Sequence, residues 1–180
     1  MIALFLANGF EEAEAICPLD LMLRAGLDVR TVSVSDDRTV KGAHGVGIVA
    51  DMTAAELEDA ALEAVVLPGG MPGADNLKRS PAVLDALKRC AASGGITAAI
   101  CAAPIVLAEA GLSAGKQMIC YPGFEKMLTG AAIRKRAVVV DGRTVTGVGP
   151  GAAFEFGLTL VRLLAGQAEA DRIERAILPV

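Results

Sequence analysis

This chain of 180 residues has no tryptophan, one tyrosine, one histidine and four cysteines. With a formal net charge of −4, that scarcity of aromatic and basic side chains gives no support for a nucleic-acid surface. No apolar run reaches the roughly 18 residues that a membrane span needs, and the start, Met1-Ile2-Ala3-Leu4-Phe5-Leu6, lacks the basic region of a secretory signal. Cys17, Cys90, Cys101 and Cys120 show no close-pair spacing, so neither a zinc site nor a disulfide framework is indicated. The expectation is a soluble, cytoplasmic protein with reduced thiols and no metal.

What is abundant is small and apolar. At 53% hydrophobic residues, residues 1–180 suit one domain with a sizeable core. Short buried-strand runs, Ile2–Leu6, Val29–Val34, Ala64–Leu67 and Ile96–Ile100, alternate with helical segments. The sequence predicts helices through Leu19–Gly26, from Ser80-Pro81 to about Cys90, over Ile105–Ala110 and over Phe154–Leu164. Pro18 either starts or kinks the first of them. Val40–Val49 reads as a small hairpin carrying His44. Thr53 is expected to cap a short acidic helix, and Asp141-Gly142 to turn a second hairpin. Strands alternating with helices imply βαβ units and a mostly parallel sheet covered on both faces. In such sheets ligands bind beyond the carboxyl ends of the strands.

The turns after Leu6, Leu67 and Ile100 leave that same edge. The first carries Glu11, Glu12 and Glu14; the second carries Gly69 and Gly70; the third carries Cys101. Cys101 lies between an apolar strand and Pro104, which suits the first position of a helix. A strand-to-helix turn of this kind lifts one side chain above the sheet, as the nucleophile elbow of α/β hydrolases does with serine. The unpaired N–H groups of the helix start are expected to lower the thiol pKa. The alternative is a buried, inert cysteine. Gly69 and Gly70 are candidates for backbone oxyanion donors. The three glutamates also read as a solvated first helical turn that favours the helix dipole.

Gly9-Phe10-Glu11-Glu12-Ala13-Glu14, Val66-Leu67-Pro68-Gly69-Gly70, Ala98-Ala99-Ile100-Cys101-Ala102-Ala103-Pro104 and Gly149-Pro150-Gly151-Ala152-Ala153-Phe154-Glu155-Phe156 together resemble the ThiJ/PfpI superfamily. Within it they are most similar to the branch of the Parkinson-disease-associated protein deglycase and its bacterial relatives. The resemblance spans essentially the whole chain. It implies a flavodoxin-like three-layer α/β sandwich, a homodimer, and a cysteine nucleophile elbow that needs no cofactor. Carried over position by position, Cys101 matches the nucleophile and Glu14 the glutamate hydrogen-bonded to its sulfur. Gly69, Gly70 and Ala102 match the oxyanion donors, while Glu11 carries no direct catalytic role.

The sequence departs from the family pattern at two places. Tyr121 stands where many relatives place a pocket histidine, and Ala102 where the peptidase branch has a histidine. A local Cys-His dyad is therefore absent, which disfavours a cysteine peptidase or amidase. His44 lies where relatives carry an arginine that approaches the partner subunit's site; it reads otherwise as an exposed turn residue. Arg24 matches an arginine near that boundary, and reads otherwise as a basic residue near a helix C-terminus.

The implied activity is of glyoxalase or protein-deglycase type, on methylglyoxal, glyoxal or a glycated substrate, with a 2-hydroxy acid as product. The alternative is a redox-sensing or chaperone-like oxidative-stress protein acting through Cys101 oxidation.

Overall fold

The structure is a computed structural model that describes residues 1–57 and 60–178. In chain order, β1 (Ile2–Leu6) leads to α1 (Glu12–Arg24), β2 (Val29–Ser33), β3 (Thr39–Lys41), β4 (Gly47–Val49) and β5 (Met52–Thr53). Then come β6 (Ala64–Leu67), α2 (Gly73–Lys78), α3 (Pro81–Ala92), β7 (Ile96–Ile100), α4 (Pro104–Glu109), β8 (Gln117–Met118) and β9 (Ala132–Ile133). The chain continues through β10 (Val138–Asp141), β11 (Thr144–Gly147), α5 (Ala153–Ala165) and α6 (Gln167–Ala176).

The main sheet has seven strands in the order β10-β11-β7-β6-β1-β2-β5. Every pair is parallel except the β10–β11 hairpin. β1, β6, β7 and β11 are buried along their whole length, which is why they read as continuous apolar runs instead of alternating ones. Helices α1, α5 and α6 pack together, as do α2, α3 and α4, and the sheet lies between these two groups. This is the expected three-layer sandwich.

Pro18 lies inside α1 without ending it. Its ring packs at the crossing with α5, where a Cβ on Gly157 would come within 2.9 Å of Pro18 Cα. The hairpin carrying His44 is present as the β3–β4 ribbon. Thr53 departs from expectation. It ends β5, and only one 3-10 turn follows, Ala54–Leu57. The cap runs the other way, because the Glu56 carboxylate accepts from Thr53 N–H at 2.7 Å and from its hydroxyl at 3.1 Å. Residues 58 and 59 of the acidic run lie outside the described residues.

The sequence reading did not find α2, α6 or the β8–β9 ribbon. Helix α6 buries only Ala170 and Ile173, an apolar stripe too narrow to stand out.

Candidate active site

The carboxyl ends of β1, β6 and β7 bring their three loops together, as the parallel topology requires. Cys101 follows β7 with φ of 64°. A non-glycine residue seldom adopts this left-handed conformation, and its occupancy at a strand-to-helix turn marks a nucleophile elbow. The neighbouring backbone holds the strain in place. Cys101 N–H donates to Gly147 O at 2.9 Å, and Cys101 O accepts from Tyr121 N–H at 2.8 Å. The residue is 8% exposed, so its thiol sits at the floor of an opening that water barely reaches.

Glu14, in the first turn of α1, is fully buried. Its Oε2 accepts from Gly69 N–H at 2.8 Å, and its Oε1 is buried without a hydrogen-bond partner. Burial pushes this carboxyl group up to about 7, and the charge of Glu11 adds to the rise. Interactions with the Cys101 thiol and Gly69 N–H oppose it. A carboxyl group poised near neutrality is suited to move a proton in either direction.

Two expectations change here. Gly69 is not a free oxyanion donor, because its N–H is spent on holding Glu14. The remaining donors are Gly70 and Ala102, whose N–H groups point at the Cys101 sulfur and favour its anion. The Cys101 thiol is also not lowered. Burial, then the Glu14 charge and hydrogen bond, push it up to about 12, against the pull of those two N–H groups. Helix α4 has only six residues, so its dipole is too small to offset burial beside a carboxylate. An anionic sulfur here needs a protonated Glu14. The two groups form a single proton-sharing pair.

The glycines around the pair are steric necessities. A Cβ on Gly69 would lie 2.7 Å from Glu14 Oε2, 2.8 Å from Cys101 Cβ and 2.9 Å from Ala102 N. Tyr121 is half exposed at the rim, with its ring against Gly149, where an added Cβ would come within 3.2 Å.

Glu12 and His44 meet, which the sequence reading did not foresee. Glu12 Oε2 lies 2.8 Å from His44 Nδ1, and Oε1 accepts from His44 N–H at 2.8 Å. Glu11 Oε1 is 3.8 Å from the same ring nitrogen. Burial alone would raise the Glu12 carboxyl group, but its hydrogen bonds from the His44 ring and from the His44 and Val46 backbone outweigh that and hold it at about 2. Glu12 is thus no idle first-turn carboxylate. It clamps the β3–β4 turn to the loop that carries the site, and Asn8 Oδ1 adds a hydrogen bond from Lys41 N–H at 2.8 Å. The Asn8-Gly9 turn signal was the one trace of this join in the sequence. Arg24 stands at the far end of α1, paired with Asp20 at 2.7 Å.

The Glu12 hydrogen bond raises the His44 pKa, with Glu11 and Glu12 charges adding. The stabilisation from charged His44 is therefore complete below its ordinary 6.5 and is lost as pH rises through the higher folded value. His44→Ala is expected to shift the pH–rate profile near neutrality, or to raise KM, without abolishing turnover. Superimposable profiles for wild type and variant would reduce His44 to a surface turn residue.

The model of the DJ-1/PfpI family matches residues 1–163. The chain belongs to the DJ-1/PfpI family. Among curated relatives of this DJ-1/PfpI protein, Drosophila melanogaster protein dj-1beta is 36% identical over 175 residues, covering 96% of this chain and 94% of the relative. The glutathione-independent glyoxalase DJR-1.2 of Caenorhabditis elegans is 35% identical over 164 residues, covering 91% and 87%. Among solved structures, oxidized Toxoplasma gondii DJ-1 superposes with a TM-score of 0.95 at 35% identity, covering 98% of this chain and 97% of that one. The flavodoxin-like fold expected from the sequence is the fold of these relatives.

Proposed function

We propose that this DJ-1/PfpI protein converts small reactive 2-oxoaldehydes to 2-hydroxy acids at the Cys101–Glu14 pair. The observation that carries this reading is a buried carboxyl group, pushed up to about 7, beside a strained nucleophile elbow. The name of the glyoxalase relative supports it. As the sulfur adds to the aldehyde carbon of methylglyoxal, Glu14 takes the thiol proton and passes it to the carbonyl oxygen, giving a hemithioacetal. Gly70 and Ala102 N–H groups face the oxygen on which charge gathers. Glu14 then removes the proton from the former aldehyde carbon and returns it to the neighbouring carbon. The product of that transfer is a thioester of the 2-hydroxy acid. Water hydrolyses it, freeing the acid and restoring the thiol.

No metal or organic cofactor enters these steps. A glycated amine or thiol that releases the same aldehyde is an equivalent source in the deglycase version.

The reading includes a homodimer in the cytoplasm. Ile16 and Leu23 on the outer side of α1, Val46 and Val49 beside the hairpin, and Phe154 are exposed apolar side chains that a second copy would cover. Among the described residues no helix is long and apolar enough to cross a membrane.

The test is 2-hydroxy acid formation from methylglyoxal by wild type and Cys101→Ser. Turnover is expected for wild type and loss of roughly 10⁴-fold for the variant. Equal rates would remove Cys101 from the chemistry.

The oxidized relative favours a second reading, in which Cys101 senses peroxide. Two molecules of hydrogen peroxide would each transfer one oxygen atom to the sulfur and leave as water, taking the thiol through sulfenic to sulfinic acid. Absence of turnover, with stoichiometric conversion of Cys101 alone to sulfinic acid, selects this reading.

A further inference from the structure

A second concavity, of about 480 Å³, lies between the outer face of α5 and the edge strand β10. β11 separates β10 from the strand that leads to Cys101. Glu155, Thr159 and Arg162 line one wall; at spacings of four and three residues they share a helix face. Arg134 and Arg136 line the other wall, and Val138–Val140 form an apolar floor. Three guanidinium groups thus face one carboxylate, on a chain whose net charge is −4.

These groups are not spent on the protein itself. Among the described residues, Arg136 and Arg162 have neither an ion pair nor a hydrogen bond. Arg134 uses Nε on Gln117 Oε1 at 2.8 Å, leaving its terminal N–H groups free. Thr159 is 7% exposed, yet its hydroxyl has no hydrogen-bond partner among the described residues. A buried hydroxyl without a partner is costly, and on the buried side of α5 an apolar residue of the same shape would avoid that cost.

We propose that this groove binds a small phosphate ester bearing free hydroxyl groups. Guanidinium forks match phosphate oxygens two at a time, and the Thr159 hydroxyl supplies a further donor. The carbon skeleton rests on Val140, which is half exposed. Glu155 repels a bare oxyanion but accepts hydrogen bonds from ligand hydroxyls, so it selects the ester over inorganic phosphate. The volume lies within the range of small-molecule sites.

Titration calorimetry of the full chain with glucose 6-phosphate, inorganic phosphate and citrate tests this. Glucose 6-phosphate is expected to bind more tightly than either of the others. Arg136→Gln and Arg162→Gln should each weaken it about tenfold, and Thr159→Val a few-fold. Glu155→Gln should weaken glucose 6-phosphate while improving inorganic phosphate. Lys135→Gln, on the same segment but outside the groove, should change nothing, and aldehyde turnover should be unaltered in every variant. Three results overturn the proposal: no heat with glucose 6-phosphate at millimolar concentration, citrate binding as tightly, or Lys135→Gln costing as much as Arg162→Gln. The last would mean diffuse surface charge.

Discussion

Glu14→Gln is expected to suppress 2-hydroxy acid formation by roughly 10²–10⁴-fold while Cys101 remains open to alkylation. Glutamine can accept from Gly69 N–H and donate toward the sulfur, so the shape of the site survives, but it cannot carry a proton between two carbons. Glu14→Asp should fail for the opposite reason, since it can carry the proton but stops a methylene short.

The same Gln variant has a stability signature that a merely structural role would lack. In the folded chain Glu14 holds its proton up to about 7, against an ordinary 4.5. Between those values the folded state binds a proton that the unfolded state has released, so stability falls as pH rises through this window and is level above it. The cost is of order 3 kcal/mol. Glu14→Gln should therefore gain on wild type between pH 4.5 and 7, and unfold at higher denaturant than wild type at pH 8. Denaturant melts at pH 5 and pH 8 read this double difference. Wild-type turnover in the Gln variant, or a pH-independent difference in stability, would remove Glu14 from the role assigned to it.

Gly69→Ala is expected to cost turnover roughly 100-fold or more and stability by about 1–3 kcal/mol. The added methyl group meets three neighbours inside 3.0 Å, and all belong to the site: the Glu14 carboxylate, the Cys101 side chain and the Ala102 amide. None is the loose end of an exposed side chain, so the reacting groups must move. Gly151→Ala is the matched control, because a Cβ there meets nothing within 4 Å. Kinetics and thermal unfolding of both variants check the contrast. Equal behaviour would mean that the loop after β6 has room the structure does not show.

Much of this architecture was legible in residue order. Ala64–Leu67 and Ile96–Ile100 are apolar and bounded by glycine or proline, and a strand buried on both faces has no other way to be written. Asp141-Gly142 fixed the one antiparallel pair of the main sheet, with Gly142 at φ of 60°. The loops with Glu14, Gly69 and Cys101 could be placed together because parallel strands send their following loops to one edge. What could not be read were contacts between residues far apart in sequence. The bond from Gly69 to Glu14 spans 55 positions and the one from His44 to Glu12 spans 32. Each changed the role assigned to a residue. The direction of the Cys101 pKa was misread for a related reason. A short helix start is visible in the sequence, but the extent of burial around the sulfur is a property of the packed molecule.

The position of β11 bears on when the thiol becomes useful. Cys101 takes its strained conformation with its N–H bound to Gly147, the last residue of β11, and β11 is the strand that covers the open side of β7. A chain emerging from the ribosome presents Cys101 some 40 residues before that support exists, when β7 is still a sheet edge. The elbow is assembled only after Gly147 has been made and the β10–β11 hairpin has docked, a step dominated by contacts distant in sequence. A nascent or truncated chain therefore carries the cysteine but not the site, so reactivity toward aldehydes is tied to completion of the fold.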